Sequence, residues 1–141
     1  MYTETVTTQE EALCHLLFHF CFKDGHFSKS EIGLVSDRLV AAGLHNEMDF
    51  TAEIVKYKSY RDQLTDEEAY LQHLIRKIMP VNELALFSVC VELCLSDAEL
   101  GTTEDALLRK LAAALEIEAS EEELIKKLMT QRKVVETQKV F

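Results

Sequence analysis

Residues 12–39 read ALCHLLFHFCFKDGHFSKSEIGLVSDRL, and residues 85–112 read ALFSVCVELCLSDAELGTTEDALLRKLA. Aligned without a gap, each stretch has an apolar helical pattern, an Asp, a short turn, and then a Glu that opens a Leu-rich pattern. The matched residues are Ala12/Ala85, Leu13/Leu86, Cys21/Cys94, Asp24/Asp97, Glu31/Glu104 and Leu34/Leu107. Such self-similarity indicates a duplicated helical hairpin. Two copies related by a pseudo-twofold axis would set the two apolar helices side by side in the core.

Helical spacing of apolar residues extends over the rest of the chain and predicts about seven helices. They cover residues 8–23, 29–42, 47–62, 66–79, 81–95, 103–116 and 121–132. Four of the starts have the capping-box pattern, a Ser or Thr followed three residues later by Glu. These pairs are Thr7/Glu10, Ser28/Glu31, Thr65/Glu68 and Ser120/Glu123; the other expected caps are Asn46, Pro80 in a first turn, and Gly101 or Thr102.

The composition favours the same all-α fold. Hydrophobic residues make up 48% and charged residues 28% of the 141 positions, which is typical of a globular protein. Four glycines and one proline are too few for the frequent turns of a sandwich or barrel. We therefore predict one helical domain over residues 1–133, followed by a frayed polar tail over 134–141.

The formal net charge is −10, and the excess of acidic residues lies before Glu121. An acidic surface repels phosphates, so nucleic acids and anionic membranes are poor partners. A divalent cation or a basic protein face fits better, and we expect a protein partner; the sequence gives no indication of the oligomeric state. Apolar runs are too short to span a bilayer and the first residues lack the basic region of a signal peptide, so we expect a cytoplasmic protein.

The four cysteines, Cys14, Cys21, Cys90 and Cys94, lie in the most apolar stretches and form no Cys-x-x-Cys pair. This spacing excludes zinc-ribbon and thioredoxin-like sites. We predict reduced thiols in the core.

The turns between the paired helices resemble those of the TerB family, the tellurite-resistance B-like proteins. The resemblance rests on the Asp24-Gly25 turn with Glu31 after it, and on the turn from Asp97 through Glu99 to Leu100 before a Leu- and Ala-rich helix. It spans residues 9–133 and implies an all-helical, duplicated, acidic domain linked to stress-response operons, with no established catalytic activity. It also implies divalent-metal binding through carboxylates near the turns. Two residues depart from the family pattern, Ala98 at a position that is often Gly, and His26 after Gly25.

The carboxylates of these turns are the best candidate metal site. Asp97, Glu99 and Glu104 in the second copy, with Asp24 and Glu31 in the first, supply oxygen ligands of the kind that calcium, magnesium or manganese prefers. The alternative is that Glu31 and Glu104 only cap or neutralise helix N-termini. An EF-hand is excluded, because neither loop has Glu at its twelfth position.

Two polar residues interrupt the apolar helices at aligned positions, His19 and Glu92. They could meet across the pseudo-twofold axis as a buried pair; since a buried carboxylate without a partner is costly, Glu92 must either have such a partner or reach solvent. His15 and His19, four residues apart after Glu11, have zinc-ligand spacing but no strong third ligand.

The scattered glycines exclude a Gly-x-Ser-x-Gly elbow, a Walker loop and a dinucleotide-binding motif. We therefore expect a non-enzymatic binding module with an acidic surface and a divalent cation. The alternative is a small metal-dependent enzyme that uses the same carboxylates with His19 or His26 as base.

Overall fold

The computed structural model describes residues 1–22, 29–43, 48–95 and 100–141, and of residues 29–31 only the backbone. The all-α prediction is confirmed, because these ranges contain eight helices and no strand. The helices are α1 Tyr2–Thr5, α2 Gln9–Cys21, α3 Lys29–Ala41, α4 Phe50–Arg61, α5 Glu67–Ile78, α6 Glu83–Cys94, α7 Thr102–Ala114 and α8 Ala119–Gln138.

Both ends of the chain hold more helix than the sequence predicted. The short α1 was not expected, and α8 continues to Gln138. The prediction of a frayed tail from position 134 is therefore wrong for the first part of that tail. Val134 and Val135 are half-buried, and this apolar contact favours continuing the helix. The helix ends where Lys139 adopts the left-handed conformation, with φ of 59°.

Several helix starts lie one to a few residues away from the predicted caps. The hydroxyl of Thr8, not Thr7, accepts a hydrogen bond from the backbone of Glu11 and completes a capping box at α2. Asp66, not Thr65, caps α5, and Asp49 caps α4. Ser28 lies outside the described residues. The carboxylates and hydroxyls all meet the same need, since the first amide groups of a helix have no acceptor within it.

The first compact unit, Met1–Met79, is built around α2. Helices α3, α4 and α5 pack against α2 and leave few of its side chains exposed, as its all-round apolar pattern predicts. The largest fully buried side chains of α2 are Leu16, Leu17, Phe18 and Phe20. At the end of the unit Met79 takes a left-handed conformation and Pro80 follows, a combination that stops α5.

In the second unit, Pro80–Phe141, α6 packs against α7 and α8. Phe87, Cys90 and Val91 are fully buried, whereas Leu84 in the first turn is exposed, so α6 is surrounded only in its later part. The α2–α3 and α6–α7 pairs fall in different units. That the two copies share one domain and a pseudo-twofold axis stays a prediction.

All four cysteines are buried and free, which confirms their assignment to the core. Within the described ranges, no helix is both long and apolar enough to cross a membrane.

Candidate functional site

The acidic turns fall largely outside the described residues. Asp24, Asp97 and Glu99 lie there entirely, and Glu31 contributes only its backbone, in the first turn of α3. Their convergence on a cation therefore stays a prediction. In the part of the chain that the structure describes, no three His, Cys, Asp or Glu side chains are grouped so that they could hold a metal ion.

Glu104 is the one member of the predicted set whose side chain is described. It stands in the first turn of α7, three residues after the N-cap Gly101. Its carboxylate folds back over Gly101 so closely that a Cβ atom at position 101 would collide with Oε2. A carboxylate in this place stabilises the positive end of the helix dipole. The sequence left two roles open for Glu104, as a metal ligand or as a charge that neutralises the helix N-terminus. This geometry supports the second role.

A buried polar network lies inside the first unit, around His15. His15 is fully buried, with Nε2 at 2.8 Å from Oε1 of Glu53 and Nδ1 at 2.6 Å from the hydroxyl of Tyr60. Because a carboxylate only accepts, Nε2 donates to Glu53 and Nδ1 accepts from Tyr60. The hydroxyl of Tyr70 continues the chain at Tyr60. Burial lowers the pKa of His15 despite the nearby Glu53 carboxylate, so the imidazole is neutral at pH 7.

The network reaches the surface through Lys56. Its Nζ atom lies 2.9 Å from Oε2 of Glu53 and 3.2 Å from Oε2 of Glu11. The hydrogen bond to Glu53 is the main cause that raises the pKa of Lys56. For Glu11, burial raises the pKa, but hydrogen bonds from Thr8 and Lys56 outweigh it and the pKa is lowered. One ammonium group therefore bridges two carboxylates at the edge of the core.

His19, one turn further along α2, also lies between a tyrosine hydroxyl and a glutamate carboxylate. Nδ1 lies 2.8 Å from the hydroxyl of Tyr57, and Nε2 lies 2.8 Å from Oε2 of Glu67. Both ring nitrogens of His19 thus bind partners from α4 and α5 of the first unit, and the pairing of His19 with Glu92, which lies in the second unit, stays a prediction. Zinc between His15 and His19 is not supported, because each Nε2 has its own carboxylate and Glu11 binds Lys56.

These two arrangements explain the polar residues of α2 as part of the core. Burial raises the pKa values of Tyr57, Tyr60 and Tyr70, so their hydroxyls stay protonated and remain donors. Tyr2 of α1 closes the outer side, with its ring centroid 5.0 Å from that of Tyr70. Among the described residues, every buried side-chain nitrogen and oxygen has a hydrogen-bond partner. The network is therefore buried around His15 and reaches the surface at Lys56 and Glu67.

The second unit contains a buried ion cluster around Lys126. Its Nζ atom lies 2.7 Å from Oδ1 of Asp105 and also binds Glu122, one turn earlier in α8. Burial lowers the pKa of Lys126, but the two carboxylates outweigh it and the pKa is raised. Arg109 of α7 lies 3.6 Å from Asp105 and 4.0 Å from Glu122. The cluster fixes α8 against α7.

A groove lies beside this cluster, between the end of α7 and the start of α8. Its volume is about 390 Å³. Its lining is mostly apolar with three charged residues; the lining residues are Arg109, Ala112, Ala113, Ile117, Ala119, Glu122 and Glu123. Glu122 is nearly buried and paired with Lys126, whereas Glu123 is exposed. The groove can accept a small apolar group, with a basic group beside Glu123.

Neither the groove nor the two buried networks was predicted from the sequence. The ion pairs within one helix could have been predicted, since Glu53/Lys56 and Glu122/Lys126 have the separation of paired charges on a helix. The remaining contacts join residues that are far apart in the sequence, such as His15 and Tyr60, and the spacing of residues along the chain does not predict them.

Comparison with known proteins gives one match. The family model described as tellurite resistance protein TerB matches residues 10–127, most of the chain. No curated protein and no solved structure matches the chain significantly. The match covers both apolar helices, both turns and the helices that follow, which are the features that carried the resemblance. The chain belongs to the TerB family.

Proposed function

We propose that this TerB-family chain is a non-enzymatic binding module that engages a protein partner through the groove between α7 and α8, in a tellurite-resistance or stress-response context. The supporting observation is the groove itself, in which a mostly apolar lining adjoins the exposed carboxylate of Glu123. Concave sites with a mostly apolar lining and a few fixed polar groups are where ligands usually bind.

The lining specifies the chemistry of the partner. Ala112, Ala113 and Ile117 offer shallow apolar contacts, whereas negative charge comes from Glu123. Glu123 is largely exposed and its carboxylate lies 3.9 Å from Lys126, so its charge remains available to a partner. A segment that carries a small apolar residue next to Lys or Arg would match both. The net charge of −10 would also attract a basic partner at long range.

A divalent cation remains part of the proposal, at Asp97, Glu99 and Glu104. Three carboxylates in eight positions exceed what one helix end can use. Glu104 lies against Gly101, so it would have to turn away from the helix end to act as a ligand. Calcium, magnesium and manganese fit the donor set.

The metal-dependent enzyme receives less support. His19 would need a free ring nitrogen to act as a base, and Tyr57 and Glu67 occupy both. His26, the other candidate base, lies outside the described residues. Within the described ranges the buried titratable groups are paired in closed networks, which favours a structural over a catalytic role.

The test compares two matched variants on α7. Ala113→Arg fills the groove with a long cationic side chain at an exposed position, whereas Ala106→Arg adds the same side chain to the same helix outside the groove. Proteins captured from the native cell are quantified for both variants and the wild type, with and without chelator. We expect Ala113→Arg alone to lose the bound partner.

Equal capture by all three proteins would refute the groove as the binding site. Loss of the partner with both variants would indicate that any added positive charge on α7 weakens binding, and it would contradict a specific contact in the groove. Loss of the partner in chelator would assign the cation a role in binding, and unchanged capture would remove it from the function.

A further inference from the structure

The outward face of α8 carries an apolar strip that has no role in the function proposed above. Leu124 is 65% exposed and Leu128 is 52% exposed. At about 100° per residue these two side chains lie on one line of the helix, turned away from the buried Glu122, Lys126 and Met129. The strip therefore faces solvent on the side of α8 opposite its packed face.

Val135 and Gln131 continue this line toward the end of the helix. The positions 124, 128, 131 and 135 alternate steps of four and three, the spacing that lets one helix pack along another. Val135 is half-buried and Gln131 is exposed. The strip is thus several turns long, and its apolar centre lies at Leu124 and Leu128.

Opposite charges stand at the two ends of the strip. Glu121 lies before Leu124, and Arg132 lies after Leu128 on the same edge of the helix. In the described part of the chain, neither Glu121 nor Arg132 takes part in a salt bridge. The strip is therefore negative at one end, apolar in the middle and positive at the other. Such a surface is complementary to the same surface of a second copy that runs in the opposite direction.

We propose that this strip is a self-association surface, on which α8 of a second copy packs antiparallel. In this register Leu124 lies against Leu128 of the second copy, and Leu128 against its Leu124. Glu121 then faces Arg132 of the second copy, and the twofold axis repeats the ion pair at the other end. A parallel arrangement would instead bring the two Glu121 side chains together, and repulsion disfavours it.

The contact is small, because two helices of this length bury less than the ~1,200 Å² of a standard stable interface. The dimer is therefore weak and reversible. It leaves the groove between α7 and α8 open, since Glu123 and Ala119 lie on a different side of the helix. Dimerisation would present two grooves to one partner and increase the avidity of the assembly.

The experiment is sedimentation equilibrium of the full chain from micromolar to about millimolar concentration, with single charge reversals and their mixture. Glu121→Arg or Arg132→Glu alone places like charges at both ends, and we expect association to weaken about tenfold. An equimolar mixture of the two variants restores both ion pairs across the interface, so we expect heterodimers at wild-type affinity.

Leu128→Glu should abolish association, whereas Val55→Glu, at a 63% exposed apolar position of α4, should leave it unchanged. Helical circular dichroism of each variant checks that it is folded. A wild-type chain that stays monomeric at the highest concentration overturns the proposal and leaves the strip for another protein. Association that survives both charge reversals, or a mixture that shows no rescue, also overturns it.

Discussion

Replacing His15 by Gln tests whether the buried network holds the first unit together. The imidazole donates to the Glu53 carboxylate, accepts from Tyr60, and stacks on the Tyr60 ring with an interplanar angle of 12°. Gln keeps one donor and one acceptor but loses the ring and the geometry that joins both partners. A hydrogen bond to a charged group contributes about 1.5 to 3 kcal/mol. With the lost packing, we expect the free energy of unfolding to fall by about 2 to 3 kcal/mol at pH 7.5.

The cost of this substitution depends on pH in a defined direction. Burial lowers the pKa of His15 in the folded chain below its ordinary value of 6.5. As the pH falls through 6.5, the unfolded chain therefore takes up a proton before the folded chain does, and the wild type loses stability. Gln does not titrate. The advantage of the wild type should thus be complete above pH 6.5 and shrink below it, by up to about 1.4 kcal/mol per pH unit.

The assay is urea unfolding of both proteins at intervals between pH 7.5 and 5. Taking the difference at each pH cancels the titration of all other groups that the substitution leaves unchanged. Leu74→Ala serves as control, since Leu74 is fully buried and does not titrate. Its cost of about 2 to 5 kcal/mol should not vary with pH. A wild-type advantage over His15→Gln that stays constant, or grows toward acid, would refute the reasoning.

Three further changes give sharp expectations. Lys126→Met removes the nearer of the two cations beside the nearly buried Glu122 carboxylate, the other being Arg109, and should lower the free energy of unfolding by about 3 kcal/mol; adding Glu122→Gln should recover part of that loss, and purely additive costs would contradict the pairing. Thr8→Ala removes the side-chain cap of α2 and should cost about 1 kcal/mol in the same assay, whereas Thr7→Ala should cost clearly less. Millimolar calcium or manganese should raise the melting temperature by binding the folded state, and Asp97→Asn should abolish the rise; a melting curve indifferent to every divalent cation would remove the metal site.

The seven longer helices were predictable because each one follows a local pattern of apolar spacing, whereas the four-residue α1 is too short to show one. The apolar spacing of α2 and α6 fixed their existence, and the bounds predicted for α3 agree with the structure to one residue. The capping residues were less predictable where several candidates adjoin. Thr7 and Thr8 each precede a Glu by three positions, so the sequence contains two registers for one cap, and only the path of the chain selects Thr8.

The site was less predictable because its geometry depends on distant residues. His15 and His19 have metal-ligand spacing on α2, and this local pattern is real. Their partners come from α4 and α5, and a carboxylate or tyrosine that meets each ring turns a candidate ligand pair into core hydrogen bonds. The groove likewise requires the end of one helix and the start of the next to diverge, which periodicity does not encode.

The four buried thiols can be used to measure how often each unit of the protein opens. Burial raises the pKa of Cys14, so the folded chain presents it to a thiol reagent in the unreactive form. Cys14 and Cys21 lie in the first unit, and Cys90 and Cys94 in the second. When closing is faster than labelling, the rate of labelling at each pair measures how often its own unit opens. The labelling rates of the two cysteine pairs thus report separately on opening of the first unit and of the second.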